Sequence, residues 1–503
     1  MYTLPVIGSA AYSSRSVLLR ARLLRLLDAG LEGILLATVA GSALAFGAVH
    51  PWAYQAIFWT CLALGLLLGL RGALLHSLRQ RLGRGAFCLH PTRRFVEPKE
   101  EGAVGWPFDL GRPAIPRPPL LFPGLAFALW VGVQLLPLGP GGQPLTVSPR
   151  DTWRGLGFLG SALTLHMTAA VVFGKRQARD RFRKALAGLA VVLALVGLAQ
   201  MASGETRIYG FFEPWEKGAG FFGPFVNRNH FAGYMLLVAP LCLSALASAY
   251  GRYSHRVGTR PNVRRRLVAF ETPEGTRLLY ACVPALFAIG ALVATTSRGG
   301  IVAFVMGLLL AAVGLKRRRG VPAWVLGLTF AGMTVLWFGL ERLEVRFASA
   351  SGDAPGRTAV WQDSLARMHG LWLTGSGFNT FAQEMSRVPA WALPRGATPW
   401  PDDLRPLLES GARIGSRSPE GLAGLGWYRE AHNDYVQVLV ESGLPGLLIA
   451  IAGAVAVLAA ARKDPWLLAA LAGVLLHELV DFDLQIPAVA TLFVVLAAWT
   501  GHR

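Results

Sequence analysis

Twelve apolar runs, each about 15 to 20 residues long, recur along this 503-residue chain, and no other feature restricts its fold as tightly. They fall at residues 32–49, 52–70, 119–138, 155–174, 185–201, 231–249, 278–296, 301–315, 321–340, 443–461, 465–480 and 485–499. A segment placed in hydrocarbon must satisfy its own backbone N–H and C=O groups, and an α-helix does so within a single stretch of chain. The expected fold is therefore an all-α integral membrane protein with about twelve transmembrane helices. With 53% hydrophobic residues, 16% charged residues and a positive mean hydropathy, the composition excludes an ordinary soluble domain.

Lys and Arg are retained on the cytoplasmic side during insertion, so their distribution orients the chain. With the N-terminus inside, the cytoplasmic segments hold 33 of the 49 basic residues. Ten of the remaining 16 lie in one long external segment, 341–442, where the rule loses force. Both termini are thus expected in the cytoplasm. The organisation that follows is a basic N-terminal segment at 1–31, nine helices over 32–340 with a cytoplasmic loop at 71–118, the long external loop at 341–442, and three helices over 443–503. The basic, apolar stretch Arg15–Leu27 reads as a short amphipathic helix lying in the interface.

A formal charge of +20 invites a nucleic-acid reading. The basic residues instead alternate with the spans as topology signals do, and clusters such as Arg264, Arg265 and Arg266 suit the anionic headgroups of membrane lipids. Nucleic acid is not expected as a partner. Cys61, Cys88, Cys242 and Cys282 have neither CxxC nor paired extracellular spacing, so no metal knuckle or disulfide framework is implied.

Polar residues gather on the external side. The loop from Glu341 to Ser442 is far longer than an ordinary connection, yet it carries Trp361, Trp372, Trp391, Trp400 and Trp427, which suits a cap on the membrane surface with Pro389–Gly424 as its mobile part. Within it, Arg357 and Trp361 share a helix face, and Leu373–Thr380 makes a tight glycine turn. Thr295–Gly300 joins two spans with almost no loop, which leaves Arg298 at the outer interface, either paired with an anion or snorkelling to headgroups. Asn227, Arg228, Asn229 and His230 open the sixth span. Their amides and guanidinium suit sugars or phosphates, although either asparagine can serve as a helix cap. Asp481 and Asp483 sit at the turn between the last two spans and can act structurally or in chemistry.

The strongest motif runs from Ala431 to Gly446. It puts His432, Asn433 and Asp434 at the start of a short helix that Gly443 and Pro445 close. The spacing His432–Asn433, nine residues, Gly443, two residues, Gly446 is similar to the His-(Asn/Ser/Gln)-x9-Gly-x2-(Gly/Thr/Tyr) pattern of bacterial O-antigen ligases. The chain also resembles that family, and the related Wzy-type polymerases, in its twelve spans, its long late loop, its Asn-Arg-Asn-His entry and its Ser297–Gly299 junction.

That resemblance implies a GT-C-like fold in the bacterial inner membrane and a periplasmic active site. It also implies transfer of a glycan from an undecaprenyl-diphosphate carrier to an acceptor hydroxyl, on lipid A core for a ligase or on a second lipid-linked glycan for a polymerase. No cofactor and no metal are implied. Arg298 matches the family's junction arginine, and Arg357 the arginine of its Arg-x3-Leu element, with Trp361 in place of the leucine. These arginines would stabilise the diphosphate leaving group, and His432 would take the acceptor's proton. Substrate binding would fall to Asn227, Arg228, Asn229, Asn433, Asp434 and Asp481. His166 lies inside the fourth run without a motif and reads as a packing or hydrogen-bonding residue. A transporter would instead need polar residues near the midplane and repeated halves, neither of which the sequence shows.

Overall fold

The computed structural model describes residues 15–82, 116–213, 220–258, 263–315, 350–386 and 428–502. The helices are α1 (Arg15–Leu44), α2 (Pro51–Leu82), α3 (Leu121–Gln134), α4 (Pro149–Val172), α5 (Arg176–Ser203), α6 (Arg228–Val257) and α7 (Val263–Phe270). They continue with α8 (Pro273–Ala294), α9 (Arg298–Leu315), α10 (Ala350–Ala366), α11 (Phe381–Met385), α12 (Asp434–Ala461), α13 (Pro465–His477) and α14 (Pro487–Trp499). Strand-like pairing among the described residues is limited to two isolated bridges, Ile208 with Phe212 and Phe222 with Phe225. The run at 321–340, Cys88, Trp391, Trp400, Trp427 and the Pro389–Gly424 stretch lie outside the described residues.

The chain is a helical membrane protein. Six described helices, α2, α4, α5, α6, α8 and α12, are long and apolar enough to cross a bilayer. Four apolar helices are shorter: Leu121–Gln134, Arg298–Ala312, Pro465–His477 and Pro487–Trp499. The 13 residues of α13 rise only about 20 Å against a hydrocarbon core of about 30 Å. The runs expected at 465–480 and 485–499 are shortened because Glu478–Ile486 leaves the helices to form a polar turn. The stretch Arg15–Leu27 is likewise no separate interfacial helix, since α1 continues through it into the first apolar run.

Burial orders the bundle. The apolar window of α6 is 78% buried and that of α2 only 11%, so α6 is the central helix and α2 a peripheral one. α6 packs along α8 and α13, and α13 along α9. Polar pairs tie the periphery together at one end: Asp28 of α1 meets Arg71 of α2 at 2.6 Å and Lys175, just before α5, at 2.7 Å, while Glu32 receives Arg181 at 2.6 Å. His166 donates through Nδ1 to Val494 O at 2.7 Å and accepts at Nε2 from Leu120 N at 3.1 Å, within the packing or hydrogen-bonding role expected of it.

α12 is broken at Gly443, whose φ of +64° lies in the left-handed region where a side chain is strained. A Cβ there would meet the Leu373 carbonyl at 2.8 Å, so the chain at 373–377 packs into the break. Several bonds fasten it. Gln134 donates to Thr374 O at 2.6 Å and Glu441 O at 2.8 Å, and accepts from Phe378 N at 3.0 Å. The buried Glu441 carboxylate accepts from Asn379 N at 2.9 Å and Phe381 N at 3.0 Å. The glycine turn read at Leu373–Thr380 therefore exists, and its partner is the kink eleven positions after the histidine of the motif.

Candidate active site

The N-termini of α6, α9 and α12 converge on the Glu478–Ile486 turn, with α10 alongside. His432 immediately precedes the N-cap of α12. Asn433 is that cap: its Oδ1 accepts from Tyr435 N at 3.0 Å and Val436 N at 3.1 Å, and its Nδ2 donates to Leu479 O at 2.9 Å. His432 takes φ of +51°, a left-handed conformation uncommon outside glycine. Its neighbour Ala431 is pinned on both sides, its N–H donating to Gln437 Oε1 at 3.0 Å and its carbonyl accepting from Trp361 Nε1 at 2.9 Å. The half-buried imidazole meets Phe482 edge to face, with ring centroids 5.0 Å apart. A strained backbone held by this many bonds keeps a side chain in a fixed direction.

Arg357 and the junction that carries Arg298 come to the same turn. Arg357 donates to Val480 O, and its Nη2 lies 3.5 Å from Asp481 Oδ2. One helical turn on, Trp361 reaches Ala431, so the shared helix face predicted for these residues is the face that α10 presents to the site. Arg298 begins α9, whose first turn is capped by Ser297 Oγ accepting from Gly300 N at 3.3 Å. At Gly299 a Cβ would sit 2.9 Å from His477 and 3.0 Å from Val480, which shows how closely the arginine junction lies against the turn.

Beneath these residues lies a buried ionic cluster. Asp483 Oδ1 is 2.9 Å from His230 Nδ1, and its Oδ2 is 2.6 Å from His477 Nδ1. Its backbone N–H donates to Glu478 at 2.8 Å. Burial alone would raise the Asp483 carboxyl, but the charge of His477 and the hydrogen bonds from both histidines outweigh it and hold the group at about 2. Phe482 joins the layers, with its ring centroid 4.6 Å from His230 and 5.0 Å from His432.

Arg357, His432, Asn433, Asp434 and Asp481, all expected from the sequence, thus meet at one turn, and the junction that carries Arg298 packs against it through Gly299. Asn433 is occupied as a cap, and the buried Asp434 accepts from Gln485 Nε2 at 3.3 Å. Asn227 takes the capping alternative, its Oδ1 accepting from Asn229 N at 2.8 Å, with Arg228 and Asn229 half-buried in the same first turn. His477 and Glu478 were not among the expected site residues. Their signal was the position of His477 six residues before Asp483 in one polar stretch between apolar runs.

Among the described residues, the ligand atoms of His230, Asp481 and Asp483 lie within 4.8 Å of one another, as a metal ion would require. Asp483 is already engaged by two imidazoles and Asp481 faces a guanidinium, so a cation would have to displace existing partners.

Residues 283–400 match the O-antigen ligase family model. The match supports the O-antigen ligase superfamily for this chain. It contains Arg298 and Arg357 and ends before His432, so the histidine motif lies outside it. Among curated proteins no match is found.

Proposed function

We propose that this chain is a membrane glycosyltransferase of the O-antigen ligase type, moving a glycan from an undecaprenyl-diphosphate carrier to an acceptor hydroxyl at the periplasmic face of the inner membrane. The observation that carries the proposal is the convergence of Arg357, His432 and the Arg298–Gly299 junction on residues 480–482 from three separate segments of the chain. In this reading about twelve helices cross the bilayer in a GT-C-like arrangement, both termini are cytoplasmic, and the described parts of the 341–442 loop flank the site.

The chemistry follows from the groups present. A bond forms between the acceptor oxygen and the anomeric carbon as the bond from that carbon to the phosphate oxygen breaks. The electron pair leaves with the diphosphate, and the acceptor's proton passes to His432. Guanidinium groups suit the developing phosphate charge because they donate in a planar fork and stay protonated. Preorganised donors of this kind reduce the barrier most when their positions are fixed beforehand. The bond of Arg357 to Val480 O and the close packing of Gly299 beside Arg298 supply that fixity.

The direct test is turnover by the purified protein. It is expected to discharge a polyprenyl-diphosphate-linked glycan onto an acceptor, and His432→Ala is expected to abolish this without loss of folded protein. Unchanged turnover in that variant would sink the assignment.

A further inference from the structure

We infer that Asp483 is a positioning residue for this reaction, fixing the Arg298 junction through His477 and the His432 ring through His230 and Phe482. Asp483 is fully buried and does not face the site directly. Each of its two side-chain hydrogen bonds leads toward a residue beside the candidate site. On one oxygen it holds His477, whose opposite edge lies against Gly299, the residue after Arg298. On the other it holds His230, which packs edge to face on Phe482, and Phe482 in turn packs on His432.

The surrounding glycines show how little slack the assembly has. A Cβ at Gly233 of α6 would fall 1.9 Å from Asp483 Oδ2, and one at Gly299 would fall 2.9 Å from both Cδ2 and Nε2 of His477. The aspartate and the imidazole are therefore clamped between α6 and α9. Burying one carboxylate and two imidazoles carries a desolvation cost that apolar packing of the same volume avoids. What the ionic version supplies is direction, because hydrogen bonds at both oxygens fix the plane of each ring while dispersion contacts leave it free to rotate.

The inference rests on the transferase reading, and its test separates the two. The full-length protein in nanodiscs is titrated with undecaprenyl diphosphate, the carrier left after transfer, for wild type, Asp483→Asn, Arg298→Gln and the double variant. Each single variant is expected to weaken binding about tenfold, and the double variant to lose no more than about twofold beyond Arg298→Gln alone, because Asp483 acts through that arginine. Losses that multiply to about a hundredfold, or an Asp483→Asn variant that binds as wild type does, would overturn the positioning role and leave the transferase reading standing. Failure of the wild-type protein to bind the carrier overturns both. Gly299→Ala presses on His477 from the opposite side with a residue the helix accepts. Should Asp483→Asn not fold, Gly299→Ala takes its place in the same cycle, with the same expected and overturning results.

Discussion

Arg357 Nη2 lies 3.5 Å from Asp481 Oδ2, and this pair attaches α10, within the long connection before α12, to the turn between α13 and α14. The aspartate is 1% exposed and the arginine side chain 33%, so the guanidinium can serve its buried partner and still reach a ligand in the open part of the site.

Arg357→Ala and Arg298→Ala are each expected to lower turnover by about a hundredfold or more, the usual cost of removing one donor aimed at developing charge. Lysine at either position is expected to restore only part of the loss, since a point charge cannot reproduce a planar fork. Steady-state rates on a lipid-diphosphate donor check this. Full activity in the alanine variants would remove the arginines from the proposed chemistry.

Asn227 gives a contrasting expectation. Its Oδ1 caps α6, so Asn227→Ser is expected to keep both fold and activity, while Asn227→Ala costs about 1 kcal/mol of stability. Thermal melting and turnover, measured together, decide whether the residue has a role in substrate binding beyond the cap. A serine variant that folds normally and loses donor affinity would establish one.

At Gly377, φ is +108° and a Cβ would fall 1.9 Å from Thr146 Oγ1. Gly377→Ala is therefore expected to undock the 373–381 segment from the α12 kink. Gln134→Ala is expected to destabilise by about 1–3 kcal/mol, because it leaves the half-buried backbone groups of Thr374 and Phe378 without this partner. Hydrogen exchange across 373–381 should rise in both variants, and unchanged protection would refute the latch.

The pH dependence has a definite sign. Asp483 is held at about 2, below the roughly 3.9 of an unperturbed aspartate. A depressed carboxylate contributes stability that is fully present above about pH 4 and is lost as pH falls through about 2. Wild-type melting temperature should therefore fall between these values more steeply than that of Asp483→Asn. Parallel curves would show that the His230–Asp483–His477 cluster does not govern acid stability.

For the cell, the ligase reading predicts that a deletion strain accumulates long glycan chains on the lipid carrier, joined to no acceptor. Single repeats on the carrier would instead identify a polymerase. Gel analysis of the lipid-linked glycans distinguishes the two outcomes, which the chemistry proposed for His432, Arg298 and Arg357 does not.

The sequence by itself determined the helical class of the fold and marked the candidate site. Apolar runs admit little but helices in hydrocarbon, and the spacing from His432 to Gly443 marks a short capped helix ended by a break, as the structure has it. It also marked Arg298, Arg357 and Asp481, because charged groups at helix ends beside a bilayer are conspicuous in an apolar chain. Tertiary structure alone decided which of these residues meet. His230 and Asp483 are separated by 253 positions, and no periodicity records that one accepts from the other. It also decided where α13 stops and α14 starts, since the turn between them is stabilised by bonds to Asn433 and Asp434 at the N-terminus of α12. Local pattern reports the solvent a residue prefers. The partner of a buried charge is set by the packing of helices distant in the chain, and here that packing turns a polar stretch between apolar runs into the floor of the candidate site.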